Sequence, residues 1–194
     1  MSRWAPDAAL RLESAAVELF EEQGYGPTTV PQIAARAGLT TRTFFRHFAD
    51  KRDVLFLRDR EFPDVVGAAL AGLPDALGPG ELVERGLAVA VAPLDHWRDS
   101  IGRRRALIQT DDRLKERELL KSARLSEAVA SALGTRGLTP LDARLLAATA
   151  VAVFDAALDE WLDSADGTAL ADHLTTVWER MRGVKPAPNR PSLR

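Results

Sequence analysis

Residues 28–48 read TTVPQIAARAGLTTRTFFRHF, and this stretch decides the fold. Two short helical patterns meet at Gly38. Thr28 or Thr29 can cap the first, which runs through Val30, Ile33, Ala34 and Ala37. Thr40 can cap the second, which carries Thr41, Arg42, Thr43, Phe44, Phe45, Arg46, His47 and Phe48. The turn needs a tight reversal, and glycine supplies it at positive φ. Ala34 and Ala37 are small enough for the two backbones to approach closely. Val30, Ile33, Leu39, Phe44 and Phe48 supply a shared apolar core. The polar side chains then fall on the outer face of the second helix. This is the arrangement with which a helix-turn-helix enters a major groove.

The flanks fit the same plan. Leu12, Ala16, Leu19 and Phe20 stand at i, i+4, i+7 and i+8, an apolar helical stripe, and Gly24 can end that helix in the left-handed conformation. Downstream, Asp50 can cap a fourth helix starting at Lys51, with Asp53 placed to favour its dipole. Residues 27–52 hold five basic residues (Arg36, Arg42, Arg46, Lys51, Arg52) against one acid, Asp50. The whole chain of 194 residues carries 26 Lys+Arg and 28 Asp+Glu, a net charge of −2. Positive charge is therefore concentrated in one short segment, as expected where a small part of a chain meets phosphate.

Function classes fall away on composition. There is no cysteine, so disulfides, thiolate metal sites and cysteine nucleophiles are excluded. His47, His96 and His173 show no i, i+4 pairing, which speaks against a metal site. Adjacent Asp111-Asp112 and Asp159-Glu160 point about 100° apart on a helix and do not read as catalytic pairs. Gly78-Pro79-Gly80 lacks the Lys-Ser/Thr that follows in a phosphate-cradling loop. No apolar run reaches the roughly 20 residues needed to span a bilayer. The N-terminus has no apolar signal region. The expectation is a soluble, cytoplasmic, all-α protein that is not an enzyme and uses no cofactor or metal.

Beyond residue 60, helices are expected near 64–73, 80–98, 100–110, 112–134, 140–163 and 168–182. The last eleven residues, rich in proline, are expected to be disordered. The helix from 140 to 163 is apolar on nearly every side, from Leu145 to Phe154, which predicts burial against both its own domain and a partner subunit.

Across 12–55 the chain resembles the DNA-binding domain of the TetR family of transcriptional regulators. The resemblance rests on Ala15-Ala16, Leu19-Phe20, Gly24-Tyr25, Thr29-Val30, Ile33-Ala34, Ala37-Gly38, Thr43-Phe44, His47-Phe48 and Lys51. Many members carry tyrosine where this chain has Phe45, which keeps the ring but loses a hydroxyl that can bond phosphate. The run from Arg103 to Ile108, with Leu114 and Ala157 to Leu162, resembles the C-terminal domain of a subgroup related to the mycofactocin regulator, in which an acyl-CoA-like ligand is proposed.

The family implies a helix-turn-helix domain (1–50), a larger helical ligand-binding and dimerisation domain (51–183) and a tail (184–194). It implies a homodimer that binds a palindromic double-stranded DNA operator and is released by a small apolar or acyl-CoA-like effector, most simply as a repressor. Arg42 is the candidate base reader, with Thr41, Thr43 and Arg46 beside it, since Arg reaches G O6/N7 bidentately and Thr can meet a thymine methyl. Thr28, Thr29, Thr40, Phe45, His47 and Lys51 are candidates for backbone contact. Trp97, Arg104, Ile108, Phe154 and Trp161 are candidate effector contacts, with ordinary core the alternative for the aromatics. The Arg103–Arg105 run could meet an anionic ligand group, or be a solvated helix end. The competing whole-protein readings are a helical small-molecule-binding protein, or an enzyme, without DNA binding.

Overall fold

A computed structural model describes residues 5–57 and 59–183; the tail expected to be disordered lies outside them. Nine α-helices and two short 3-10 turns make up the regular structure of the described residues, with no strand. Helix α1 (Ala5–Gln23) ends at Gly24, whose φ of +88° is the left-handed conformation that lets the chain reverse. Thr29 caps α2 (Val30–Arg36) in a full capping box with Gln32. Gly38, at φ +65°, makes the turn into α3 (Thr41–His47), which Thr40 caps by accepting from the Thr43 amide. A Cβ at Gly38 would meet the Arg11 guanidinium at 3.0 Å, and that guanidinium bonds the Ala37 carbonyl, so the turn is pinned to α1.

The expected fourth helix from Lys51 does not form. Asp50 does cap, accepting from the Arg52 and Asp53 amides at 2.8 and 3.1 Å, but only a 3-10 turn, Asp53–Phe56, follows. The Asp53 side chain turns back onto the Ala49 amide and two arginines instead of facing solvent. The helix resumes as α4 (Phe62–Ala71), with Pro63 in its first turn. The expected 80–98 helix divides into α5 (Pro79–Val91) and a 3-10 turn, Ala92–Trp97, because Pro93 cannot continue the ladder. Then come α6 (Arg98–Gln109), α7 (Asp112–Thr135), α8 (Pro140–Asp163) and α9 (Leu170–Gly183).

Two apolar cores result. The first joins α1, α2, α3 and the 3-10 turn through Leu12, Phe20, Ile33, Phe44, Phe48 and Leu55, and takes in Leu107, Ile108 and Leu114 from the α6–α7 corner. The second is built by α4, α5, α7, α8 and α9 around Leu70, Leu87, Leu133, Phe154, Trp161 and Trp178. The helix-turn-helix unit is therefore wedged against the larger domain. The Arg103–Glu21 ion pair, at 2.5 Å, ties α6 to α1 beside this wedge.

Helix α8 is not buried all round within one chain. Ala147, Ala150, Phe154, Ala157 and Trp161 face the core, while Leu141, Leu145, Ala148 and Ala152 form an exposed stripe. Leu141 and Leu145 are about 60% exposed (60% and 59%), a large uncovered apolar face for a soluble helix.

Candidate nucleic-acid interface

Helix α3 is held from behind by two phenylalanines. Phe44 and Phe48 are fully buried, with ring centroids 5.3 Å apart. That spacing of four residues fixes which side chains point away. Thr41, Arg42, Phe45 and Arg46 are exposed; Thr43 and His47 flank them half-buried. Phe45, 59% exposed, leans edge-on against Phe44 and presents its ring outward, an apolar surface of the size that can meet a base or sugar. The Thr40 and Thr43 hydroxyls lie 3.0 Å apart at the N-terminus of α3.

The positive charge on this face is narrower than a residue count implies. Arg36 forms a fork onto Glu22, at 2.8–2.9 Å, and also reaches Glu18. Arg52 closes on Asp50 at 2.7 Å. Arg42 makes no hydrogen bond or ion pair with the described residues, and Arg46 has only the His47 ring at 3.5 Å. Arg42 and Arg46 are thus the cations left for an outside partner. Burial, with the nearby Arg46 and Arg60 adding to it, pushes His47 below the usual imidazole range.

Two of the expected backbone contacts, Thr28 and Lys51, have their polar groups taken up within the chain. Thr28 is buried, and its hydroxyl donates to the Gly24 carbonyl at 2.7 Å while accepting from the Gln23 amide group at 3.0 Å. It staples the α1–α2 turn and offers nothing outward; Thr29 takes the exposed cap position. Lys51 also turns inward. Its ammonium donates to the Tyr25, Gly26 and Thr28 carbonyls at 2.6, 3.2 and 2.7 Å and sits 4.2 Å over the Tyr25 ring. Three acceptors use all three of its protons. Burial lowers its pKa, with Arg113 adding to the effect.

The expected effector contacts do not share a cavity. Phe154 and Trp161 are buried in the second core, and Ile108 in the first. Trp97 is 46% exposed on the 3-10 turn. Arg104 is nearly buried against Asp59 at 3.1 Å. The arginine run is engaged in ion pairs: Arg103, still exposed, pairs with Glu21, Arg104 with Asp59, and Arg105 with Asp159 and Glu118. Among the described residues no group of three or more His, Asp or Glu could hold a metal, and no helix is long and apolar enough to cross a membrane.

Asp53, legible only as a residue favouring a helix dipole, closes the site from behind. Asp53 accepts from the Ala49 amide at 3.1 Å, from Arg60 at 2.6 Å and from Arg117 at 3.0 Å. Arg60 also donates twice, at 3.2 Å, to the His47 carbonyl at the C-terminus of α3. The acidic residue three after Asp50 was visible, but its partners lie 7 and 64 residues away.

Comparison with known proteins agrees with this geometry. Residues 12–56 match the family model for bacterial regulatory proteins of the tetR family. The regulator HbdR of Aromatoleum sp. (strain CIB) is 52% identical over 44 residues, covering 23% of this chain and 19% of that protein. The regulator TcmR of Streptomyces glaucescens is 44% identical over 64 residues, covering 33% of this chain and 28% of that one. The chain thus spans less than a third of either curated relative. The fold extends further: FadR from Bacillus subtilis, solved with stearoyl-CoA, aligns over 88% of this chain and 95% of its own, with a TM-score of 0.57 at 17% identity. The capped α2–turn–α3 unit at residues 29–47 lies inside the matched segment, so residues 12–56 are similar to the tetR-family model of bacterial regulatory proteins.

Proposed function

We propose that the chain is a homodimeric transcriptional regulator that lays α3 in the major groove of a palindromic operator and is released by a small effector. The observation that carries this reading is the outer face of α3. Two arginines without carboxylate partners, Arg42 and Arg46, stand beside exposed Thr41 and Phe45 on a helix locked from behind. Arg42 is the base reader; the exposed Thr29 and Thr40 caps and His47 position the phosphate backbone.

The exposed stripe of α8 supports self-association. Leu141, Leu145, Ala148 and Ala152 are apolar, in line, and small toward the middle, so a second copy's helix can approach closely. A two-fold pair places its recognition helices one DNA turn apart, roughly 34–36 Å.

Effector release requires a ligand that prefers the DNA-incompetent state; a hundredfold loss of operator affinity takes about 2.7 kcal/mol of coupling. The likeness to FadR favours an acyl-CoA-like effector, which here would have to open a cavity among Phe62, Phe154 and their neighbours, whose rings now pack at 5.4 Å. The test is selection of genomic DNA fragments by the full chain. Enrichment of an imperfect palindrome with steep salt dependence, a log–log slope of about −0.9 per phosphate contact, supports the reading. Recovery of unrelated fragments at the background rate contradicts it.

A further inference from the structure

The crevice behind the helix-turn-helix has an unusual lining. It lies between the 3-10 turn, the start of α4 and α7, and is walled by Phe56, Asp59, Arg60, Pro63, Arg117, Lys121 and Arg124. Four cations thus face one lining carboxylate. Three of the four already pair with neighbouring carboxylates, Arg60 and Arg117 sharing one. Asp53 holds Arg60 and Arg117, Glu118 holds Lys121 at 2.6 Å, and Asp59 itself is held by Arg104. Arg124 makes no ion pair with the described residues. Gathering like charges at a low-dielectric seam costs free energy unless an anion offsets it.

A second feature selects among anions. Asp59 Oδ2 is buried without a hydrogen-bond donor among the described residues; Lys121 Nζ is 3.9 Å away, and Arg104 pairs with the other oxygen at 3.1 Å. A buried acceptor left unmet is costly, so the occupant that suits the crevice brings its own proton. Hydrogen phosphate does so: its charged oxygens accept from the arginines and the lysine, and its P–OH donates to Asp59. Sulfate at neutral pH has no such proton.

We propose that this crevice is a site for inorganic hydrogen phosphate, and that its occupation weakens operator binding. It adds a second effector at a site apart from the acyl-CoA-like one proposed above, and rests on the regulator reading for the coupling, though not for the site. The coupling follows from size. The crevice leaves about 360 Å³ of empty space including its open mouth, but only about 30 Å³ is free to the centre of a water molecule. A phosphate group seats only if Arg60 and Arg117 swing toward it and away from Asp53. Arg60 is also the donor to the His47 carbonyl that holds the end of α3. Drawing it off loosens the recognition helix and leaves the buried Asp53 carboxylate with fewer partners, so the phosphate-bound state is the poorer DNA binder.

Calorimetric titration of the full chain with sodium phosphate, sodium sulfate and glycerol phosphate tests the site, and fluorescence anisotropy with the selected operator at constant ionic strength tests the coupling. Phosphate is expected to bind once per chain and sulfate about tenfold more weakly, the cost of the unmet acceptor. Saturating phosphate is expected to lower operator affinity about tenfold. Arg124→Gln, an exposed position whose folding is checked by circular dichroism, is expected to lose both the heat of binding and the operator response. Glycerol phosphate, mainly a dianion without a P–OH at neutral pH, is expected to bind weakly like sulfate; binding as tight as that of phosphate overturns the proposal. Absence of phosphate binding, equal binding of sulfate, an Arg124→Gln variant that still binds phosphate fully, or binding with unchanged operator affinity overturns the proposal. A chain that binds phosphate selectively but no DNA overturns the operator reading and the coupling with it.

Discussion

Lys51 and Arg42 lie nine residues apart in the same basic segment and face opposite ways. Arg42 projects from α3 with no hydrogen-bond or ion-pair partner among the described residues, whereas Lys51 spends its ammonium on three carbonyls of the α1–α2 turn. Lys51→Ala is therefore expected to act on the fold. Stability should fall by about 1–3 kcal/mol in denaturant titration, as three acceptors lose a charged donor. The salt slope of DNA binding should stay as in the wild type. A slope reduced by about one phosphate contact, with stability unchanged, would instead return Lys51 to the interface. Sequence could not separate these two roles, because the acceptors are backbone atoms 23 to 26 residues away. Thr28 was hidden for the same reason: two adjacent threonines can both cap, and only the packed turn shows which one faces inward.

At the scale of elements, helices α2 and α3 were legible to within a residue or so, since capping threonines and a left-handed glycine mark their ends locally. The long α8 was equally plain from Thr139-Pro140. What the pattern did not show is where charge is buried between elements. Asp155 sits on α8 among Lys121, Glu118, Arg105 and Asp159, and burial raises its pKa despite the two cations. A raised carboxyl pKa means the folded state holds the proton more tightly than the unfolded chain. Its stabilising contribution is full below the ordinary carboxylate range and is lost as pH rises through the folded value. Asp155→Asn should remove this component. The stability difference between variant and wild type, followed by thermal unfolding, is expected to shift in the variant's favour as pH rises from acid toward neutrality. A difference independent of pH would show that Asp155 titrates as it does in the unfolded chain. The aromatic residues of α8 read from sequence as either pocket or core; Phe154 and Trp161 are core, since periodicity alone gives burial but not what lies on the other side.

For the molecule as a whole, the two cores and the exposed α8 stripe divide the work. One core fixes the face of α3, the other carries a helix whose outer side is left uncovered within one chain. Ala148→Arg places a charge in the middle of that stripe, where an unpaired charge at a closed interface is strongly unfavourable, on the order of 3–5 kcal/mol. Because Ala148 is exposed within one chain, the variant should still fold. Light scattering at micromolar concentration is expected to give a dimer for the wild type and a monomer with unchanged helicity for Ala148→Arg; a monomeric wild type would contradict the assembly. Loss of the dimer should also cost operator affinity, since each half-site would then be bound alone.

The most direct test of the central claim, that α3 reads DNA through Arg42, is operator binding by wild type and Arg42→Ala, followed by fluorescence anisotropy at fixed salt on the selected palindrome and on single-base variants of it. The expected result is a loss of about 1–3 kcal/mol in affinity, with base preference relaxed at one position in each half-site and retained elsewhere. Unchanged affinity together with unchanged preference at every position would contradict it.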